Sequence, residues 1–147
     1  MYKRILIATD GSALSRKAVS GGIELATLMG AELTVLKVVP RYPVSYFEGG
    51  ASISSSQVAA TEKQWADAAS AVVQLVKANA EAKGLKARAV TKVSDLVAES
   101  IISVAKKHKC DLIVMASHGR KGVKRLLMGS ETQHVLTHST IPVLVLR

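Results

Sequence analysis

The sequence predicts an α/β protein in which a doubly wound, five-stranded parallel sheet carries helices on both faces. Five short runs rich in aliphatic residues alternate with segments whose apolar residues recur at helical spacing. Most of the short runs lack polar alternation, which is typical of strands buried between two layers of helices. The chain has 147 residues, the size of one domain, so we expect residues 1–147 to form a single three-layer α/β/α unit.

The first quarter of the chain predicts two strands joined by a helix. Residues 3–9 read as a buried strand that ends in the turn Asp10-Gly11-Ser12, which also suits the start of a helix. Apolar residues recur at helical spacing over 13–29, and Gly30 stands where a C-terminal cap is expected. Residues 32–39 form the second β-rich run.

A long irregular segment, 41–56, separates the second strand from the second helix. It is rich in Ser, Gly and Pro and is long for a connection inside a domain, so we interpret it as either a mobile segment or a binding lid. The helical pattern resumes over 57–83, where Ser54 and Gln57 are spaced for a capping box.

The second half of the chain continues the alternation. It predicts a strand over 86–93, a helix from Ser94-Asp95, a strand over 111–117, a helix from Gly129-Ser130 to His138 and a strand over 141–146. Residues 123–128 suggest one or two further helical turns, and Ser130 with Gln133 is spaced for a second capping box.

Composition and charge limit the classes of function. Twenty Lys and Arg against 11 Asp and Glu give a formal charge of +9, which favours nucleic acids, anionic membranes and phosphorylated small molecules alike. Aromatic residues make up only 3%, too few for a single-strand stacking platform, so we expect no specific nucleic-acid partner. With no long apolar run and no leader pattern, we expect a soluble, cytoplasmic protein with no membrane partner. The one cysteine, Cys110, is expected to be a packed, inert thiol.

The predicted site lies where two strands end in small polar residues and glycine. In doubly wound sheets, ligands bind outside the carboxyl ends of the strands, where the winding direction reverses. The first strand ends in Asp10-Gly11-Ser12 and the fourth in Ser117-His118-Gly119. If the strands take the expected order 3-2-1-4-5, these two strands are neighbours and their loops face one crevice, which is the site hypothesis.

The segment after the fourth strand has the features of an anion site. Gly119 can adopt a positive φ and lets a ligand approach the main chain. Gly129-Ser130 opens a helix, whose free N–H groups and dipole attract anions, and Ser130 and Thr132 add hydroxyl groups. A simpler interpretation stays open: Gly119 only turns a loop, and Ser130 only caps a helix.

These residues also resemble the nucleotide-binding signature of the universal stress protein family. That signature is Gly, two residues, Gly, nine residues, then Gly with Ser or Thr. Here Ala116-Ser117-His118-Gly119 is followed, after nine residues, by Gly129-Ser130. The N-terminal strand ending in Asp-Gly-Ser and the closing strand Ile-Pro-Val-Leu-Val are also similar to that family. Ala116 departs from the pattern, because it stands where the first glycine is usual.

The resemblance implies a Rossmann-like fold and an adenosine end of the crevice. Asp10 would bond the ribose or base, or help to hold a divalent metal. Val38 would offer main-chain contacts to adenine, and Met115 would line the adenine-side wall. Ala8 lies beside this end, where ATP-binding members of the family often have proline.

The resemblance also implies a triphosphate end of the crevice. The residues that would hold the phosphates are Gly119, Gly129, Ser130 and Thr132. Arg120 begins a basic spacer that continues with Lys121, Lys124 and Arg125, and one or two of these are expected to reach the phosphates. His118 follows the fourth strand in a position to touch the ligand, and we assign it no catalytic role.

The function that follows is a stress-response, ATP-binding module, with or without Mg²⁺, that acts as a dimeric sensor with little or no hydrolysis. The resemblance implies a homodimer in which the last strand, from Pro142 to Leu146, pairs with its counterpart. We name no catalytic residue and no metal cluster, and whether the protein is an enzyme stays open. The alternative is a non-nucleotide-binding, dimeric interaction protein of the same fold, which Ala116 and Ala8 would suit.

Overall fold

A computed structural model describes residues 1–43, 54–119 and 128–147. In this part of the chain, five strands and four helices alternate. Their bounds are β1 Arg4–Ala8, α1 Ala13–Met29, β2 Glu32–Val39, α2 Ser55–Ala82, β3 Ala87–Val93, α3 Val97–Lys107, β4 Leu112–Ala116, α4 Ser130–His138 and β5 Val143–Leu146. No helix of the described residues is long and apolar enough to cross a membrane.

The strands form one parallel sheet in the order β3-β2-β1-β4-β5, which confirms the predicted α/β architecture and strand order. Alternate strand side chains point to opposite faces and bury two separate cores. One core, around Ile5, Ile7 and Val35, packs against α1 and α2. The other, around Leu6, Leu36 and Ile113, packs against α3 and α4.

Helix α1 starts and ends where the sequence predicts, and α2 starts two residues and ends one residue earlier than predicted. Ser12 caps α1 by accepting the Ser15 N–H, and Gly30 ends it with φ 65°. The Ser54 side chain and the Gln57 side chain form the predicted capping box at the start of α2.

The last two helices differ from the sequence predictions at their starts. Helix α3 begins at Val97, because the Ser94 hydroxyl accepts the Leu96 N–H and the Asp95 carboxylate accepts the Arg41 N–H outside the helix. The capping box at α4 was predicted wrongly, since Gly129 is the N-cap and makes no side-chain hydrogen bond. The predicted irregular segment 41–56 ends earlier than expected, because Ser55 and Ser56 belong to α2. Its residues 44–53 lie outside the described residues. The helical turns predicted over 123–128 also lie outside them except for Met128, as do 120–122.

Helix α1 packs closely on the sheet through two glycines. A Cβ on Gly22 would lie 2.7 Å from Cδ1 and 2.8 Å from Cγ1 of buried Ile7. A Cβ on Gly21 would meet Cδ1 of Leu146 at 2.6 Å, but that atom is the end of a side chain at the less enclosed edge strand. Gly22 therefore sets the distance between α1 and β1.

We expect Gly22→Ala to lower the free energy of unfolding by about 1–3 kcal/mol, because the added methyl overpacks the core. Gly21→Ala is the matched control. Its clash can be relieved by rotating Leu146, and alanine raises helix propensity by about 1 kcal/mol. Urea unfolding of both variants tests this, and equal losses would contradict the assignment of the close contact to Gly22.

Cys110 is buried at the start of β4, as the sequence predicts. Its side chain belongs to the core between the sheet and α3 and is 6% exposed. Burial raises the pKa of the Cys110 thiol above its ordinary value, which disfavours the reactive thiolate.

We expect Cys110 in the native protein to resist a thiol-specific reagent near neutral pH and to react fully once the chain is unfolded in guanidinium. The two labelling rates, measured side by side, test the packing of this edge of the core. Rapid labelling of the native protein would contradict it.

Candidate functional site

The carboxyl ends of β1 and β4 meet at one edge of the sheet. The two strands are paired in parallel, with Ile7 opposite Val114. Beyond this pair, a Cβ on Gly119 would lie only 2.8 Å from Oδ2 of Asp10. The two loops predicted to share a crevice are therefore in contact.

Gly119 is needed for space and not for an unusual backbone angle. Its φ lies outside the left-handed region, which among the described glycines only Gly11, Gly30 and Gly84 occupy. Gly119 therefore does not use the positive φ that glycine allows. The missing side chain makes room for the carboxylate of Asp10.

Asp10 forms a tight turn into α1. Its Oδ1 accepts the Ser12 N–H at 2.9 Å, while Gly11 has φ 80° and donates its N–H to the Thr9 hydroxyl. The ammonium group of Lys37 donates to the Asp10 carbonyl at 3.0 Å. Asp10 and Lys37 each have further interactions in the molecule.

Lys37 is a feature of the site that the sequence reasoning missed. It lies in β2 and is partly buried, and a Cβ on Gly11 would be 3.6 Å from its nitrogen. The sequence feature that could have indicated it is a single lysine inside an otherwise uncharged run, Thr34-Val35-Leu36-Lys37-Val38-Val39. A cation is thereby held against the first loop of the crevice.

The first turn of α4 is docked on the end of β4. The Gly129 N–H donates to the Ser117 carbonyl at 2.8 Å, and a Cβ on Gly129 would lie 3.2 Å from that oxygen and 3.4 Å from Cα of His118. The first intrahelical bond runs from the Gln133 N–H to the Gly129 carbonyl. The N–H groups of residues 130–132 thus open the helix at the crevice edge, where an anion is favoured.

Thr132 uses its hydroxyl inside the protein. The side chain is buried and donates to the Ala116 carbonyl at 2.9 Å, which ties α4 to the end of β4. Ala116 is a regular strand residue opposite Leu146, and its φ is not positive. A small side chain therefore suffices at this motif position, and alanine meets that requirement.

One ring nitrogen of His118 has a hydrogen-bond partner among the described residues and the other has none. Its Nδ1 lies 3.0 Å from the Ser117 hydroxyl. Its Nε2 is buried and has no hydrogen-bond partner in the structure as described. A buried nitrogen without a hydrogen-bond partner is uncommon, and this one lies at the end of β4 next to Gly119.

The three residues predicted for the adenine end lie on one face of the sheet. Met115 is buried in the core under α3 and α4, and Ala8 and Val38 pack against the same core. Arg120 and the rest of the basic spacer lie outside the described residues.

Glu131 is the second feature that the sequence reasoning missed. It lies between Ser130 and Thr132, yet its Oε2 accepts the Ala98 N–H at 3.0 Å at the start of α3. Nearby, His134 of α4 and Glu99 of α3 are paired at 3.2 Å. The carboxylate is thus held by the N-terminus of α3, where a negative charge is stabilised.

Comparison with known proteins gives a consistent result over the whole chain. The sequence model described as the Universal stress protein family matches residues 1–147. The universal stress protein MJ0531 of Methanocaldococcus jannaschii is 34% identical, with 100% of this chain and 83% of that protein covered. YxiE of Bacillus subtilis, also named a universal stress protein, is 30% identical over the full length of both chains.

Solved structures share the fold. The structure of MJ0577 from M. jannaschii is 28% identical and superposes with a TM-score of 0.83 over 99% of this chain and 96% of that one. A universal stress protein solved in complex with cAMP is 22% identical, with a TM-score of 0.69 over 99% and 97%. One from Archaeoglobus fulgidus, solved in complex with dAMP, is 17% identical, with a TM-score of 0.62 over 99% and 98%.

We expect Thr132→Val to lower the free energy of unfolding by about 1–3 kcal/mol, because it removes the donor to the buried Ala116 carbonyl. Thr132→Ser is the control, since it keeps the hydroxyl and loses one methyl group. Thermal and urea unfolding compare the two. A valine variant at least as stable as the serine variant would show that this hydrogen bond does not hold α4 to β4.

Proposed function

Because this chain belongs to the universal stress protein family, we propose that it binds an adenine nucleotide, ATP with or without Mg²⁺, as a dimeric sensor or regulatory module. The observation that carries the proposal is the docking of the first turn of α4 on the end of β4 through Gly129. That contact presents N–H groups at the same edge as the Asp10 loop, which is the arrangement an anionic ligand needs.

The phosphates would bind between the loop that follows β4 and the first turn of α4. The N–H groups of Ser130 and its neighbours, with the Ser130 hydroxyl, supply donors at the positive end of the α4 dipole. Gly119 and Gly129 leave the main chain uncovered, and the unpaired Nε2 of His118 adds a polar contact. Arg120, in the basic spacer, is proposed to pair with the phosphates.

The adenosine would lie toward β2. Met115 is proposed to line the wall against the base and Val38 to offer the base main-chain contacts, with Ala8 on the strand between them. Asp10 is proposed to bond the ribose or the base. Two proteins of the same fold were solved with cAMP and with dAMP, which supports an adenine nucleotide as the ligand class. The side chain of Thr132 would act indirectly, by holding the phosphate-binding first turn of α4 to the end of β4.

Mg²⁺ fits this site only as a companion of the nucleotide. No cluster of three potential ligands occurs among the described residues, and Asp10 brings one carboxylate to the crevice. Mg²⁺ is commonly held by one or two carboxylates together with substrate phosphates, so Asp10 would hold it while the phosphates complete the shell. The ion would neutralise phosphate charge.

We propose binding with little or no hydrolysis. The second carboxylate near the first turn of α4, that of Glu131, accepts a hydrogen bond from the start of α3 and so is not directed at the phosphates. Asp10 is engaged with Ser12 and suits binding better than proton abstraction. The residues brought together at the crevice suit the binding of phosphates and not their hydrolysis.

The dimer is proposed to form through the last strand. Within the described sheet, β5 pairs with β4 on one side only, and its residues are partly exposed. An apolar edge strand left uncovered promotes aggregation, so pairing of Pro142–Leu146 with a second copy would protect it.

We expect isothermal titration with ATP to show binding, with and without Mg²⁺, that weakens about tenfold in Ser130→Ala, since a hydrogen bond to a charged group is lost. Gly129→Ala should weaken binding similarly, because the added methyl meets the Ser117 carbonyl and shifts the first turn of α4. Ser20→Ala, on the exposed face of α1, is the matched control.

Protein freed of co-purified nucleotide is required for this titration. No binding up to millimolar ATP would contradict the proposal and favour the alternative, a dimeric interaction protein that binds no nucleotide. Equal affinities of the two variants and the wild type would also contradict it, because the ligand would then bind elsewhere.

A further inference from the structure

The edge of the sheet opposite the crevice is strongly basic. We call it the basic edge: the residues that open the strands, together with the last turns of α1, α2 and α3. Lys3 and Arg4 lie at the start of β1, and Lys86 and Arg88 at the start of β3. These strands are separated only by β2, so the four cations form a row along the sheet.

The helices that end at this edge add to the row. Lys106, Lys107 and Lys109 close α3, and Lys83 closes α2. Cations near helix C-termini offset the negative end of the helix dipole, which accounts for those at the end of α3. The dipole does not account for the cations that open β1 and β3, so the edge carries more positive charge than its helices require.

The charge of the described residues is distributed unevenly. Of the 16 Lys and Arg that the structure describes, eight belong to the basic edge, against three of the ten described Asp and Glu. The rest of the described chain carries eight basic and seven acidic residues. Nearly all of the net positive charge of the described residues is therefore at this edge.

The three acids of the basic edge are already engaged. Glu32 pairs with Lys86 at 3.0 Å, Asp111 accepts the main-chain N–H groups of Lys3 and Arg4, and Glu81 lies 3.8 Å from Lys77. No salt bridge among the described residues involves Lys83 or the three lysines that close α3. The side chains of these four lysines are exposed to solvent and could therefore contact a binding partner.

Arg88 is held at this edge by a neutral histidine. Its Nη1 lies 2.8 Å from Nδ1 of His108. Burial, with Arg88 and then Lys107 nearby, lowers the pKa of His108 below its ordinary value, so the ring accepts the Arg88 N–H at neutral pH. The cleft that they line with Arg4, Glu32 and Lys86 has a volume of about 70 Å³. A small-molecule site is several times larger, so the edge suits an extended partner.

Exposed apolar side chains accompany the cations. Leu28 and Met29 end α1 at this edge and are 79% and 37% exposed, and Met1, next to Lys3, is 97% exposed. Lysines around protruding apolar side chains are the composition of surfaces that bind anionic lipid, where charge attracts and apolar groups enter the interface. A nucleic-acid backbone would gain nothing from these apolar groups.

We propose that the basic edge binds an anionic lipid bilayer peripherally, with its lysines over the headgroups and Leu28 at the interface. The sequence alone led us to expect no membrane partner, and the arrangement of charge in the fold revises that expectation. The crevice at the other edge stays open to solvent in this orientation, so the proposal does not depend on nucleotide binding.

The test is co-sedimentation of the full chain with phosphatidylcholine vesicles containing about one-third phosphatidylglycerol, and with vesicles of phosphatidylcholine alone. We expect binding to the anionic vesicles only, decreasing as salt rises. The triple variant Lys3→Gln, Lys106→Gln, Lys107→Gln should bind about a hundredfold more weakly, because each lysine near an anionic surface contributes about a fivefold factor.

The matched control is the triple variant Arg16→Gln, Lys17→Gln, Lys63→Gln, whose cations lie on α1 and α2 away from the basic edge. Both triple variants have the same formal charge, so a difference between them reports location and not net charge. Equal losses in the two would overturn the proposal. Leu28→Ser, which removes no charge, should also weaken vesicle binding, and it decides the matter if a triple variant fails to fold.

A labelled duplex oligonucleotide is the competing probe. Vesicle binding that is unchanged by Leu28→Ser, together with oligonucleotide binding that the basic-edge variant abolishes, would assign the surface to nucleic acid and overturn the lipid proposal. Vesicle binding that fails even at low salt would overturn it as well.

Discussion

The pairing of β1 with β4 is the constraint on which the rest of the molecule depends. It joins the two halves of the sheet in parallel, from Ile5 opposite Leu112 to Ile7 opposite Val114. At one end of this pair the carboxylate of Asp10 lies against Gly119. At the other end the Asp111 carboxylate accepts the N–H groups of Lys3 and Arg4. One register thus places the candidate site and the basic edge at opposite edges of the sheet.

The same topology places opposite ends of the helix dipoles at the two edges. Each helix runs antiparallel to the strands it connects, so helix N-termini lie at the crevice and helix C-termini at the basic edge. Free N–H groups at the crevice attract an anion, and Gly129 brings the first turn of α4 close enough to β4 to use them. At the other edge, negative dipole ends gather cations. Adenine-nucleotide binding and lipid binding are therefore separable proposals.

The fold was predictable because its signals are local. Aliphatic runs, the Ser12 and Ser54 caps and Gly30 each act within a few residues, and α1 and α2 follow them closely. The site was less predictable because its decisive contacts join distant residues. Gly129 caps α4 in place of Ser130 because its N–H bonds the Ser117 carbonyl, and Gly119 is small because of Asp10. Lys37 stands out as the one charged residue within 34–39, but nothing local indicates that it bonds to Asp10. The sequence around Glu131 likewise does not indicate its bond to the Ala98 N–H.

The measurement that tests the central claim most directly is a titration of ¹⁵N-labelled protein with ATP, followed by two-dimensional amide NMR. The account predicts the largest shifts at the amides of Gly11, Gly119 and residues 129–132, a smaller set at Val38 and Met115, and no change at Lys83–Arg88 on the opposite edge. Saturable shifts that cluster away from the ends of β1 and β4 would contradict the account, as would an unchanged spectrum at millimolar ATP.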